Sequence, residues 1–310
     1  MNLRGLDLNL LVVMDALLTE RSTTRAGERI HLSQSAVSGA LARLRHFFDD
    51  ELLIQVGHRM VLTPLAEDLM VPVREALLAV EAIVDKDKAF DHGTSTRRFR
   101  IMLSDYAATV LMTQTLPVLQ QAAPRIGIEL ISNSESAIPA VERGEVDLLL
   151  IAQQFASRNH PSQELFRDDY TCVVWSENRE IGTQLTLDQY LAAGHVVARF
   201  GRDQLLSAEE QFIRGERIER RVDVVVMGFS MLPQFVIGTS RVATLHSRLA
   251  RYYAQWLPIR LLKPPVDIPP IVEVMQWHHF RDTDRGLDWF RRALTEAMSP
   301  SVESGNHVSR

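Results

Sequence analysis

Apolar residues recur with helical spacing through the first ninety positions and with the shorter rhythm of strands through most of the rest. Leu6, Leu10, Val13 and Leu17 are spaced four, three and four apart, which predicts an amphipathic helix facing a core. A second helix starts at a cap formed by Ser22 or Thr23, and a third starts after a polar turn at Ser33. Ala26, Ile30, Val37, Leu41 and Leu44 give this pair an apolar inner face. Ser33, Gln34, Ser35 and Ser38 place short neutral side chains at the beginning of the third helix. Gly27 inside the second helix costs up to ~1 kcal/mol of helix propensity relative to Ala, so close helix packing is expected there. After an acidic turn at 49–51, LLIQVGHRMVLT reads as a two-stranded hairpin with Gly57-His58 at its tip, the wing of a winged helix.

Thr63 and Pro64 then open a long helix as N-cap and first helical residue. From Leu62 through Ala66, Leu69, Val73, Ala76, Val80 and Ile83 the spacing alternates four and three, which is a heptad seam. Such a seam predicts dimerisation, the competing reading being a stripe that packs on the next domain. Pro72 should bend or break the helix, because it lacks an N–H and crowds the preceding turn. Residues 85–96 read as a linker.

From Arg97 strands and helices alternate. FRIMLS, IGIELIS and VDLLLIA are strands, with helices expected at about 106–122 and 138–143. A second series follows, with strands ELFRDDYTCVVW, HVVARF, RRVDVVVM and RVATLH and helices near 187–192, 207–215 and 230–237. PPVDIPPIVEVMQWHH and a helix over 286–297 close the pattern. Continuous apolar strands belong to parallel sheets covered on both faces. Two such lobes, joined by crossings near 153–164 and 264–270, leave a cleft at the carboxyl ends of their strands.

Composition narrows the class. With 310 residues, 46% hydrophobic and 24% charged, the chain can build two or three domains with real cores. No apolar run reaches membrane-spanning length and no signal peptide is recognisable, so a cytoplasmic protein without a membrane partner is expected. Cys172 is the single cysteine, which excludes an internal disulfide, a two-cysteine redox switch and a cysteine-based zinc site. The net charge of −5 is a warning against non-specific nucleic-acid binding, and residues 1–62 hold seven Arg against seven Asp or Glu. Placement matters more: Arg43 and Arg45 lie on the third helix and Arg59 on the hairpin, while Asp15 and Glu20 lie on another helix. Gln34 can bond adenine in a bidentate way in the major groove, and Ser can bond either strand, so the segment from Ser22 to Phe48 is a candidate DNA reader. As a plain alternative, Ser33 serves only as an N-cap.

Candidate ligand residues are the strand ends facing the cleft: Ser104, Asp105 and Tyr106; Arg199, Phe200 and Gly201; Met227 and Phe229; Gln276 and Trp277. Aromatic and Met side chains with an Arg and a Ser suit a flat molecule carrying a phenolate or carboxylate. Alternatively Tyr106, Phe200 and Phe229 are core and Arg199 pairs with an acidic neighbour. No catalytic residue is expected, since Ser104-Asp105 lacks a glycine elbow and a base partner. No metal or other cofactor is expected either, because His278 and His279 would point to opposite faces of a strand.

The segments GLDLNLL, TTRAGERIHLSQSAVSGALARLR and GHRMVLTPLAE resemble the LysR-type transcriptional regulators. LDLNLL, FFDDELL, LSDY, FRDDYTCVV, GHVVARFG and GTSRVATL resemble the branch of that family containing nodulation regulators and regulators of aromatic degradation. The resemblance implies an α/β protein with an N-terminal winged helix-turn-helix (1–62), a long linker helix with a hinge (63–96) and a two-lobed, periplasmic-binding-protein-like effector domain (97–298). Lobe I would comprise 97–160 and 269–298, lobe II 161–268, and 299–310 a disordered tail. It implies that Ser33, Gln34, Ser35 and Ser38 read bases, with Thr23 and Thr24 nearby, Arg43 on the backbone, and His58 and Arg59 on the wing. The chain departs from the family pattern at Ser35, where Pro is common, and at Gln55 and His58, where Arg is common. A homodimer through Leu69, Val73, Ala76, Val80 and Ile83, assembling to a homotetramer on promoter DNA, is implied as well. The expected function is an activator that changes DNA bending when a small phenolic, salicylate-like or flavonoid inducer enters the cleft, with RNA polymerase as a partner. The alternatives are ligand-independent regulation and, at a greater distance, an α/β small-molecule-binding enzyme.

Overall fold

The computed structural model describes residues 6–57, 59–85, 89–133 and 137–298. His58, the linker positions 86–88 and the tail 299–310 lie outside the described residues. The chain forms two compact units, one built by residues up to Ala89 and the other by most of the chain from Phe90.

The first unit begins with α1 (Leu8–Glu20), α2 (Thr23–Ile30) and α3 (Gln34–Phe48), each started by a short polar side chain. Asp7 accepts the Leu10 N–H at 2.8 Å, Ser22 that of Arg25 at 3.4 Å and Ser33 that of Ala36 at 3.2 Å. Leu10, Val13 and Leu17 of α1 meet Ala26, Val37, Leu41 and Leu44 in one core. A Cβ at Gly27 would lie 2.6 Å from the Leu32 carbonyl oxygen, which is the close approach that excludes any larger residue there. β1 (Leu53–Val56) and β2 (Arg59–Leu62) pair antiparallel with Val56 opposite Arg59, and Gly57 takes the left-handed conformation at the tip with φ of 63°. Arg45 Nη2 donates to the Leu53 carbonyl at 2.8 Å and its Nε to that of Glu51 at 2.8 Å. This arginine therefore binds the hairpin to α3.

α4 (Pro64–Asp85) is capped by Thr63, whose hydroxyl accepts the Ala66 N–H at 3.2 Å. The helix is not broken at Pro72. That proline stands on the exposed side, where the carbonyl one turn earlier can be hydrated instead. The heptad stripe divides into two parts. Leu62, Ala66 and Val73, with Leu69 beside them, complete the core of this same unit. Ala76 and Ile83 are exposed, Ile83 at 73%, and Val80 is half-buried.

The second unit holds two mixed sheets of matching order. In the first, β4 (Gly127–Ser132), β3 (Arg98–Leu103) and β5 (Leu148–Ala152) run parallel, followed by β13 (Ile271–Gln276) and then β6 (Ser162–Asp168). In the second, β10 (Arg221–Val226), β8 (Gly194–Phe200) and β11 (Val242–His246) run parallel, followed by β7 (Tyr170–Trp175) and β12 (Ile259–Leu262). A two-residue strand, β9 (Leu205–Leu206), pairs with β8. β7 receives the chain from β6 and β13 receives it from β12, so each sheet carries, as its fourth strand, the one that enters from the other lobe. The first crossing thus lies at Asp169 and not within 153–164, because β6 stays in the first sheet as the antiparallel neighbour of β13.

The helices are α5 (Asp105–Ala107), which continues through a π-helical stretch (Ala108–Met112) into α6 (Thr113–Ala122), then α7 (Ala137–Glu142), α8 (Leu187–Ala192), α9 (Ala208–Gly215), α10 (Ser247–Ala254) and α11 (Arg285–Met298). The helix expected at 230–237 is instead a 3₁₀ turn at Phe229–Met231 followed by further turns. α10 and β12 have no counterpart in the sequence reading. One continuous core runs through both lobes, with Phe99, Tyr106, Leu148, Val173, Ala243 and Phe290 among its members. Among the described residues no helix is long and apolar enough to cross a membrane.

Candidate DNA-reading surface and effector cavity

Ser33, Gln34 and Ser35 stand exposed at the first turn of α3, with Ser38 half-buried one turn on. Gln34 Nε2 donates to Ser38 Oγ at 3.1 Å and to Thr23 Oγ1 at 3.5 Å. Ser33 Oγ lies 3.0 Å from Ser35 Oγ while also capping the helix. Ser33 thus serves as the N-cap of α3. The amide of Gln34 is held on the surface by Ser38 of its own helix and Thr23 of α2. Thr24 is exposed beside this patch, and Arg59 is exposed on the wing. Arg43 pairs with Asp7 at 3.3 Å across an exposed surface. The Asp7 carboxyl is held below its ordinary range, first by the Leu10 N–H it caps and also by Arg43. Arg29 is engaged by Glu20 at 3.3 Å and by Asp15 at 3.8 Å, so these two acidic residues of α1 face a cation of α2.

In the second unit the carboxyl ends of the strands surround a cavity of about 480 Å³, within the range of small-molecule sites. Ser104 and Asp105 just after β3, Phe200 from β8, and Met227 and Phe229 after β10 line it, as the strand-end reasoning anticipates. The Asp105 carboxylate accepts the N–H of Phe229 at 3.2 Å and of Ser230 at 2.7 Å, tying the first lobe to the 3₁₀ turn of the second. Gly228 is required for this approach, since a Cβ there would lie 2.7 Å from Asp105 Oδ2.

Five of the anticipated residues are not on the cavity wall. Tyr106 is fully buried, donates its hydroxyl to Asp168 Oδ2 at 2.8 Å and stacks on His246 with ring centroids 3.8 Å apart. Arg199 is taken by Glu210 of α9, with Nη2 to Oε1 at 2.7 Å, so the acidic-neighbour alternative describes it. Gly201 forms the exposed turn after β8 with φ of 67°. Gln276 is buried and bonds the backbone of Ser157, and Trp277 is core with the Arg291 guanidinium 3.7 Å from its ring centroid.

The polar floor of the cavity comes from residues the sequence did not single out. Glu273 on β13, His246 at the end of β11, Ser132 and Asn133 after β4 and Ser207 at the start of α9 all face it. Burial pushes the Glu273 carboxyl up to about 8, and the nearby charge of Asp168 adds to the effect. Burial pushes His246 down to about 3. Both shifts favour the neutral forms, a protonated acid and a neutral imidazole, in a cavity whose lining also includes the Asp105 carboxylate. The available signal for Glu273 was one acidic residue in an otherwise apolar strand, IVEVMQ. No Arg or Lys lies on the cavity wall among the described residues.

A winged helix-turn-helix, followed by a two-lobed α/β unit with a cavity at its strand ends, defines a ligand-responsive DNA-binding regulator. Residues 8–67 match the bacterial regulatory helix-turn-helix protein, lysR family, and residues 92–299 match the LysR substrate binding domain. The chain belongs to the LysR family of transcriptional regulators. It is 42% identical over 306 residues, 99% of this chain and 97% of the relative, to nodulation protein D 1 of Bradyrhizobium diazoefficiens. A probable transcriptional regulator from Pseudomonas aeruginosa has a similar structure, with a TM-score of 0.67 at 29% identity, covering 94% of this chain and 97% of that one. A full-length OxyR variant from Pseudomonas aeruginosa shares the fold, with a TM-score of 0.76 at 16% identity and 94% of each chain covered. The family consists of regulators, not enzymes, and its two domains bind DNA and a small-molecule effector.

Proposed function

We propose that this LysR-type regulator is a cytoplasmic activator induced by a neutral, planar, hydroxylated aromatic molecule of phenol to flavonoid size. The cavity lining carries this reading: aromatic walls from Phe200 and Phe229 suit a flat ring system, and Glu273 and His246, whose neutral forms burial favours, suit its hydroxyl groups together with Ser132 and Asn133. A salicylate-like acid fits less well, since no cationic side chain lines the described wall and Arg199 is committed to Glu210. Ser33, Gln34, Ser35, Ser38, Thr23 and Thr24 read the promoter, with Arg43 and the wing on its backbone. The outer half of α4, with Ala76, Val80 and Ile83, supplies a homodimer contact, and dimers assemble to a homotetramer that changes DNA bend and contacts RNA polymerase. The test is thermal unfolding of the full chain against hydroxylated flavones, simple phenols and matched aromatic carboxylates. At ~100 times its dissociation constant a binder stabilises the native state by roughly 2.7 kcal/mol. Stabilisation by neutral hydroxylated compounds is expected; stabilisation by carboxylates alone would reject the class.

A further inference from the structure

We propose that His160, His278 and His279 form a binding site for a divalent transition-metal ion of the zinc, nickel, cobalt and copper class. One ring nitrogen from each residue lies within 4.8 Å of one from each of the others. The ring centroids are 5.0 Å apart for His160 and His278, 5.7 Å for His160 and His279, and 4.4 Å for His278 and His279. Drawn together around an ion at the ~2.0–2.1 Å metal–nitrogen distance, the three rings would make a three-histidine site with an open fourth position.

The expectation of no metal rested on strand alternation at His278-His279, and that premise does not hold. β13 ends at Gln276, and a 3₁₀ turn begins at His279, so the two imidazoles stack on one side, 25° from parallel. The third ligand comes from far away in sequence. Ser162 pairs with Gln276 across β6 and β13, so the residues just before one strand and just after the other share a sheet end. Gln276 fixes the intervening loop. Its Oε1 accepts the Ser157 N–H at 3.0 Å, and its Nε2 donates to the Ser157 carbonyl at 2.7 Å and to that of His160 at 3.4 Å. The Trp277 N–H donates to the Pro161 carbonyl at 3.3 Å. The backbone on both sides of the cluster is thus held before any ion arrives, as a preorganised metal site requires.

His160 and His278 are buried and His279 is exposed, which leaves one side for entry of the ion and a water ligand. Three neutral nitrogen donors select the borderline transition metals over calcium and magnesium, which prefer oxygen. Bound there, the ion ties the loop before β6 to the segment after β13, away from the effector cavity.

The experiment uses tag-free, chelator-stripped full-length protein titrated with Co²⁺ and Zn²⁺, followed by calorimetry, cobalt absorption and thermal unfolding. One equivalent of Co²⁺ should produce ligand-field bands that Zn²⁺ displaces, and Zn²⁺ at a hundredfold excess over its dissociation constant should raise the unfolding midpoint by roughly 5 °C. His279→Ala, at an exposed ring, should keep the fold, weaken binding at least tenfold and abolish the shift. His160→Gln should do the same. His46→Ala, exposed on α3, should bind as wild type does. Absence of binding in wild-type protein, or an unchanged isotherm in His279→Ala, overturns the proposal.

Discussion

The proposed DNA-reading patch and the candidate effector cavity are assembled in opposite ways. The patch gathers Thr23, Gln34 and Ser38 from two consecutive helices, and its side chains stand on the surface while a separate set, Ala26, Val37, Leu41 and Leu44, holds the fold. The cavity gathers Ser104, Phe200, His246 and Glu273 from strands and strand ends of both lobes; Asp105 on its wall is bound to Phe229, and its neighbours Tyr106 and Arg199 to Asp168 and Glu210. Around the cavity, residues that shape the ligand site also hold the structure. Substitution should therefore separate function from stability in the first unit and mix them in the second.

The largest expected effect lies at the buried pair of Arg220 and Glu209, whose Nη2 to Oε2 distance is 2.9 Å, with Tyr190 Oη bonded to the same guanidinium. Arg220→Met leaves a buried carboxylate without its partner and should cost ~3–5 kcal/mol in urea unfolding. A loss under 1 kcal/mol would show that the second unit tolerates broken buried charge and would weaken the contrast.

Glu273→Gln tests the uncharged floor. The wild-type carboxyl is raised to about 8 by burial, with Asp168 adding to it, so the native state holds its proton more tightly than the unfolded chain does. Its favourable contribution is fully present below the ordinary carboxylate range and is lost as pH rises through about 8. The variant should match wild type near pH 4 and exceed it above pH 8 by on the order of 4 kcal/mol, read from midpoints across that interval. Parallel profiles would mean that Glu273 is ionised in the fold.

Gln34→Ala should leave unfolding unchanged while weakening operator binding by ~1–3 kcal/mol for each half-site contacted. A stability loss as large as the binding loss would show that the reading surface is not separable from its core.

This contrast also explains what could be read from the chain. The helices and wing of the first unit were legible because caps and apolar spacing act within a few residues, as at Ser22, Ser33 and Thr63. The heptad stripe was legible as a period, but its division between Val73, in the unit's own core, and the exposed Ile83 depends on packing. Strand ends such as Ser104 and Phe200 followed from α/β topology. Glu273 did not, because β13 enters its sheet only after the second lobe crossing and runs antiparallel to β5; His246 closes the strand RVATLH, whose carboxyl end was not assigned to the cleft. Tyr106, Arg199, Gln276 and Trp277 carry suitable chemistry, yet each is claimed by an internal partner that spacing does not reveal. His160 was invisible for the same reason: its neighbours are set by strand register.

The measurement that reaches the central claim most directly is linkage between the two sites. Operator affinity is measured with and without the aromatic compound that most stabilises the protein, and the affinity for that compound is measured with and without operator. A regulator whose cavity governs its DNA contacts must show the same factor, different from one, in both titrations, on the order of 5–150-fold. A factor of one in both, with each partner binding normally, would mean that the cavity and the reading surface act independently, and the account would fail.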